Sequence, residues 1–397
     1  MTPPVLFLAA GEVSGDVHGA ALAKALLAQE PSLRLMGWGS HRMADAGVDL
    51  EADLVAHAAV GLTENLASVV PSWRALRAAR RRLAEVRPAA VVLIDFQGAN
   101  MALARMARGL GLPTIYYISP QEWIWGLASG PRKVAEGVDE ILAIFAREAE
   151  VYREAGGQVT FVGHPLLDLQ PDAAAIANIR RHVGGASPVL GLFPGSRAQE
   201  VERLLPPFLE AAALLQERTP GLGVVLPVAA PHVTDLVDAA LRAAGWQVGM
   251  EPGPRKVLRF AGVPGMAVMG TCDALLAASG TVTLEAAVMR VPVVAAYKVS
   301  AMTAFAARRL LRIPYVTLPN IVAQRGIIPE LLQEAVTPSA LADAVAPLLH
   351  AGLPRNAHLE GLDAVRTQLG EQGAVARAAA RILQRAGLAA RPSVGQA

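Results

Sequence analysis

Short apolar runs recur along the chain, each ended by a glycine, a proline or a polar turn and followed by an Ala/Leu/Arg pattern of helical period. In the first part they are "VLFLAA" before position 11, "AAVVLID" at 89–95, "PTIYYIS" at 113–119 and "EILAIF" at 140–145. The stretch 166–188, "LLDLQPDAAAIANIRRHVGGASP", is polar and strand-poor, and the pattern restarts with "VLGLF" at 189. "GVVLPVA" (223–229), "DALLAAS" (273–279) and "VPVVAAY" (291–297) continue it. Strand and helix in alternation predict parallel βαβ winding, hence an α/β chain of two doubly wound, Rossmann-like domains, 1–170 and 171–397. Such domains bind ligands beyond the carboxyl ends of their strands, in the cleft expected between the two, so chemistry is sought in the loops that follow strands.

The first such loop reads "AGEVSGDVHGA" (10–20), with glycines at 11, 15 and 19. Its spacing matches neither the dinucleotide fingerprint nor the P-loop, and Glu12 and Asp16 stand where a phosphate would approach. In the second domain "FPGSRAQEV" (193–201) offers Gly195 and Ser196 amides at a helix start and Arg197 as a fork for a diphosphate. "ASGTVTLEAAV" (278–288) repeats the idea with Ser279, Gly280 and Thr281. Glu285, four residues after Thr281, leaves the same helix face and suits a pair of ribose hydroxyls. Taken alone, each turn is equally an ordinary capped helix start. "YVTLPNIVAQRGIIPELL" (315–332) places Asn320, Gln324 and Arg325 between prolines, as a loop that closes over a donor sugar or simply as a solvated one.

Composition narrows the partners. A formal net charge of +2 is too mild for an electrostatic nucleic-acid binder. Cys272 is the only cysteine, which excludes an intrachain disulfide and cysteine-built metal clusters. No run reaches the roughly 18 apolar residues of a membrane span. The start lacks a basic signal-peptide region, so the cytoplasm is expected. "SWRALRAARRRLAEVRP" (72–88) sets Leu76, Leu83 and Val86 on one stripe and Arg74, Arg77, Arg80, Arg81 and Arg82 around it. "FAARRLLRIP" (305–314) has the same character. Basic amphipathic helices of this kind rest on anionic lipid, or simply pack by the stripe with arginines in solvent.

Seven blocks in order, "AGEVSGDVHGA", "VGLTENL" (60–66), "YYISPQEWIWG" (116–126), "FVGHPLLD" (161–168), "FPGSRAQEV", "ASGTVTLEAAV" and "YVTLPNIVAQRGIIPELLQ", closely resemble the lipid-A-disaccharide synthase family. The resemblance implies a GT-B glycosyltransferase that joins UDP-2,3-diacylglucosamine to 2,3-diacylglucosamine 1-phosphate, giving a β-1,6 disaccharide 1-phosphate and UDP. It further implies peripheral association with the inner face of the cytoplasmic membrane and a homodimer, and the domain division allows a C-terminal helix that packs back on the first domain. By position it assigns Arg197, Ser279, Gly280, Thr281, Glu285 and Asn320 to the donor, to which the reading of the turns adds Gly195 and Ser196 and that of the 315–332 loop adds Gln324. Ser14, Gly61, Glu64, Asn100, Gln121, Trp123 and Trp125 fall on the acceptor side. The chain departs from the family pattern at "IDFQGAN", which keeps Asp95 and Asn100 but has Gly98 where the family has a second acid, and at Gly126, "IFARE" and Lys298.

Inverting displacement of UDP needs stabilisation of the leaving diphosphate and a base for the attacking hydroxyl. Arg197 and the two helix starts meet the first need without a metal or any other cofactor. Asp16, Glu12, His18 and Asp95 are the candidates for the second, with Asp16 and Glu12 preferred. Two other readings stay open: a transferase or epimerase acting on another UDP-N-acetylhexosamine, and a catalytically silent nucleotide-sugar or lipid-binding homologue. A nicotinamide enzyme lacks its glycine fingerprint here.

Overall fold

The computed structural model describes residues 3–54, 65–124, 129–249, 253–299 and 314–388, with side chains in the helix from 65 described from residue 74 onward. The chain divides into one unit of Met1–Asp168 plus Leu369–Ala397 and another of Leu169–Gln368.

In the first unit β1 (Val5–Ala10), β2 (Arg34–Trp38), β3 (Val48–Ala52), β4 (Ala90–Ile94), β5 (Thr114–Tyr117), β6 (Glu140–Ala143) and β7 (Val159–Phe161) form a parallel sheet in the order 3-2-1-4-5-6-7. β1 and β4 lie side by side at its centre, Leu6 opposite Ala90 through Ala10 opposite Ile94. Both strands are apolar on both faces because helices cover both faces. β2 reaches β1 so closely that a Cβ on Gly37 would lie 1.8 Å from the Leu8 carbonyl oxygen, which together with its φ of +147° requires glycine.

The second unit repeats the winding with β8 (Val189–Phe193), β9 (Gly223–Val228), β10 (Gln247–Val248), β11 (Lys256–Ala261), β12 (Ala274–Ala278), β13 (Val293–Tyr297) and β14 (Glu330–Leu332), ordered 10-11-9-8-12-13-14. Its core is built where the helix Ala198–Arg218 lays Leu204, Leu205, Phe208 and Leu215 on β8, β9 and β12. Truncating fully buried Phe208 to alanine is expected to cost about 3–5 kcal/mol.

The helix Ala374–Arg385 belongs to the first unit, where it packs on the helix Val13–Gln29. Arg381 reaches the buried Glu140 at 2.7 Å, and Asp168 caps the start of this helix through the Val375 N–H at 2.8 Å. No described helix is long and apolar enough to cross a membrane.

The arginine-rich helix Asn65–Val86 uses its stripe for the core. Ala75, Ala79 and Leu83 are buried and Leu76 and Val86 pack beside them, so the apolar face expected to meet lipid faces the sheet instead. Arg82 is tied to Glu51 at 2.9 Å. The 305–314 segment lies outside the described residues.

Candidate functional site

At the carboxyl ends of β1, β4 and β5 the first unit concentrates its unusual backbone. Asp95 and Phe96 are consecutive non-glycine residues at φ 51° and 46°, and Ile118 follows at 58°. Left-handed residues of this kind cost about 1–3 kcal/mol each and persist where the surroundings over-determine them. Here the Asp95 carbonyl accepts from Asn100 Nδ2 and from the Tyr116 hydroxyl, both at 2.8 Å. Phe96 N–H turns back onto Asp95 Oδ1 at 3.0 Å. The Phe96 ring lies over Gly11, where a Cβ would come within 2.2 Å of it, so the first glycine of the loop makes room for a side chain of the protein. The other Asp95 oxygen accepts from Ser14 Oγ at 2.7 Å. Ser14 and Glu12 are exposed and Asp95 is half-buried, so these groups stand at the open end of the sheet.

Two residues expected in this site serve the fold. Asp16 is fully buried, and its carboxylate accepts from the N–H groups of Ser40 (2.7 Å), Arg42 (3.3 Å) and Met43 (3.2 Å) at the start of the helix His41–Asp45. A carboxylate committed to three amides and shut off from solvent is a helix anchor, and the preference for it as base is corrected accordingly. Asn100 is fully buried too, its amide nitrogen shared among the carbonyls of Ala9, Ile94 and Asp95, so it clamps the strained turn from below instead of meeting the acceptor. At Gly98 a Cβ would meet nothing within 4 Å, so the missing acid leaves open space.

Gln121 is exposed on the short 3-10 turn Gln121–Trp123, while Trp123 packs on Phe145 at 5.4 Å between ring centroids. Beneath them lies a network that the sequence reading missed. Glu148 is buried, accepts from the Ile144 and Phe145 N–H groups and from the Ser119 hydroxyl, and is pushed up to about 7 by burial. Tyr152 donates to the Pro120 carbonyl at 2.6 Å. A glutamate three residues after Phe145 is the available signal, since that spacing lets a side chain turn back to cap a helix start. Gly61, Glu64 and Trp125 lie outside the described residues.

In the second unit the turn after β8 is closed by its own helix. Glu200 accepts from the Ser196 N–H at 3.0 Å and the Arg197 N–H at 3.2 Å, and pairs with the Arg197 guanidinium at 3.3 Å. Gly195 has φ +109°, and a Cβ there would meet the Glu200 carboxylate at 2.2 Å. The Arg197 side chain is 83% exposed, and a surface pair of this kind is weak.

The turn after β12 differs. Gly280 precedes the helix Thr281–Met289 with no side-chain cap, Thr283 turns its hydroxyl onto the Gly280 carbonyl, and Gly280 and Thr281 are exposed. Glu285, one turn into the helix, is half-buried without a hydrogen bond or ion pair to any described residue, and burial pushes it up to about 7. Ser279, just past the end of β12, donates its N–H to the Ala296 carbonyl of β13.

Asn320 is corrected as a donor ligand. It is buried, donates to the Ile328 carbonyl and Glu330, and accepts from the Ile327 and Ile328 N–H groups, which ties its own loop into a ring. Gln324 and Arg325 stand exposed beyond it. Among the described residues no cluster of three or more His, Cys, Asp or Glu is placed to hold a metal.

The family described as Lipid-A-disaccharide synthetase matches residues 6–381. The lipid-A-disaccharide synthase of Myxococcus xanthus is 38% identical over 384 residues, covering 96% of this chain and 97% of its own length. That of Pseudomonas aeruginosa is 38% identical over 380 residues, covering 95% and 97%. Among solved structures, the S. aureus MnaA–UDP co-structure aligns with a TM-score of 0.67 at 15% identity over 99% of this chain and 100% of its own. The calicheamicin glycosyltransferase aligns with a TM-score of 0.63 at 16% identity, over 98% and 100%. At such identities the likeness speaks for the fold alone, which is GT-B.

Proposed function

Because the chain belongs to the lipid-A-disaccharide synthetase family and is a glycosyltransferase that forms the lipid A disaccharide, we propose how its residues divide that reaction. The second unit takes UDP-2,3-diacylglucosamine at the β12 turn and the first unit takes 2,3-diacylglucosamine 1-phosphate beside Asp95. Glu285 carries the donor assignment: a carboxylate set into the fold with no partner among the described residues, one helical turn beyond exposed Gly280 and Thr281, is chemically matched to a ribose diol next to a diphosphate. Arg197, weakly held at the neighbouring β8 turn, swings from Glu200 to the diphosphate and offsets the charge of the leaving group.

Asp95 is the base. The acceptor hydroxyl attacks the anomeric carbon with inversion, the bond to UDP breaks with its electron pair leaving on the diphosphate, and the hydroxyl proton passes to the Asp95 carboxylate. Ser14 and the Phe96 N–H hold that carboxylate in place, and the strained turn holds it at the open end of the sheet. Arg197 and the uncapped helix start at Gly280 supply the positive charge that the leaving diphosphate needs, so we propose a metal-independent reaction. Association with the membrane is peripheral and carried by charge, since exposed Arg74 and Arg81 flank a surface recess shared with Arg77 and Ala78 while the apolar stripe of their helix is buried.

Mass spectrometry of products from purified protein given both acylated substrates tests the reading, with the disaccharide 1-phosphate expected. Equal turnover of unacylated UDP-GlcNAc would overturn it in favour of another UDP-hexosamine enzyme. Asp95→Asn is expected to lower kcat by about a thousandfold with the fold intact. Asp16→Asn is expected to lower the melting temperature first, because its amide partners lose their acceptor.

A further inference from the structure

Among the described residues, histidines with an enclosed ring nitrogen fall into two kinds, and His18 as a whole is half-buried. His164 Nδ1 accepts from the Leu166 N–H at 3.2 Å and His358 Nε2 from the Val293 N–H at 3.2 Å, as enclosed polar atoms ordinarily do. His18 Nδ1 is closed off from solvent and has no partner. An orphaned nitrogen of this kind carries an uncompensated desolvation cost that a purely structural histidine avoids.

The helix sets where this ring stands. His18 lies four residues after Ser14 in Val13–Gln29, so the two side chains leave the same face, and Ser14 is bonded to Asp95. Between them, a Cβ on Gly15 would lie 3.4 Å from the Ile94 carbonyl oxygen and 3.7 Å from Asp95 Cβ, so this face runs directly over the end of β4. The titratable groups that act on the ring are Asp95, from the β4 turn, and His164, from the turn after β7, which burial holds down at about 3 and therefore neutral. On the C-terminal helix that packs against the same helix, Arg377 is turned to backbone carbonyls, and Arg381 and Arg385 to Glu140. Burial lowers the His18 pKa more than the Asp95 charge raises it, so at neutral pH the ring is neutral with an unused lone pair.

We propose that His18 is the proton carrier behind Asp95, a positioning residue that takes the acceptor's proton from that carboxyl group after the glycosidic bond has formed. The inference rests on Asp95 being the base. When the O–H bond formed on Asp95 breaks, an N–H bond forms on the imidazole, and the imidazolium gives up the proton of its other nitrogen, Nε2, which is not closed off, to water before the next turnover. A carboxylic acid ordinarily gives its proton to an imidazole, and the ion pair so formed stands beside a regenerated carboxylate.

Full-length protein labelled with 15N-histidine tests this, the His18 signal being assigned with His18→Gln. The wild-type ring is expected to titrate below the ordinary histidine value, and at still lower pH in Asp95→Asn, which removes the charge that favours its protonated form. An unchanged midpoint overturns the proposal, and the midpoint itself is read on proteins that keep the His18 ring. In turnover, His18→Gln is expected to lower kcat about a hundredfold, the lower end for a positioned acid–base group, with both KM values unchanged and the acid limb of the pH profile displaced. A wild-type kcat with a wild-type pH profile overturns it as well. Asp95→Asn turning over at the wild-type rate would bring down the base assignment itself, so the two failures are distinguishable.

Discussion

The two turns that open helices in the second unit start from similar sequences and end in opposite electrostatic states. After β8, the Ser196 and Arg197 amides are already bonded to Glu200, so the helix start arrives with an anion of its own. After β12, Gly280 has no side-chain cap, and the nearby carboxylate of Glu285 is a full turn further on and pairs with no described residue. The difference is one of register: Glu200 is the third helical residue and can fold back, whereas Glu285 is the fifth and cannot reach the first amides. A glycine and a hydroxyl ahead of a helix therefore do not make an anion site. What decides is whether the protein has filled it already.

The largest test of that contrast is Glu285→Gln, expected to weaken UDP binding by about ten- to a hundredfold, the range for a hydrogen bond to a charged group, with melting unchanged. Isothermal titration with UDP measures it, and an unaltered affinity would make both turns structural. Gly280→Asp places an acid at the open start, where its side chain meets no obstruction, and is expected to cost about tenfold in UDP affinity by charge repulsion and self-capping. A titration across pH sharpens the same point. Glu285 is held up at about 7, and only its ionised form accepts from two hydroxyls, so UDP affinity is expected to fall as the pH is lowered through 7, by at most about tenfold per unit. Glu200→Ala acts mainly on the fold. It removes a helix cap and is expected to cost about 1 kcal/mol of stability, read as a lowered melting temperature, with a smaller loss of UDP affinity than Glu285→Gln. The smallest effect expected is that of EDTA on turnover, which should be nil.

The central strands could be read from the chain because helices on both faces leave them continuously apolar, and β1, β4, β8 and β12 fall where the runs predict. The strands that escaped are of another kind. β2 carries Gly37, β11 interleaves Arg259, bonded to Asp238, with apolar positions, and β14 is only three residues long. The position of Glu285 followed from helical spacing alone. Asp16 was misread because its partners, Ser40 to Met43, come from a different helix more than twenty residues away, and no local pattern announces them. Asn100 and Asn320 escape for a related reason: an amide that bonds three backbone groups looks, in sequence, the same as one offered to a ligand.

The helix Ala374–Arg385 gives the two units different histories on the ribosome. The second is a continuous segment, Leu169–Gln368, and is complete before the last turns of the chain are made. The first must wait for its end. Until Arg381 emerges, the Glu140 carboxylate in the strand nearest to it lacks its 2.7 Å counter-charge, and the helix that bears Ser14 and His18 has one flank uncovered. The half of the enzyme synthesised first is therefore the half finished last.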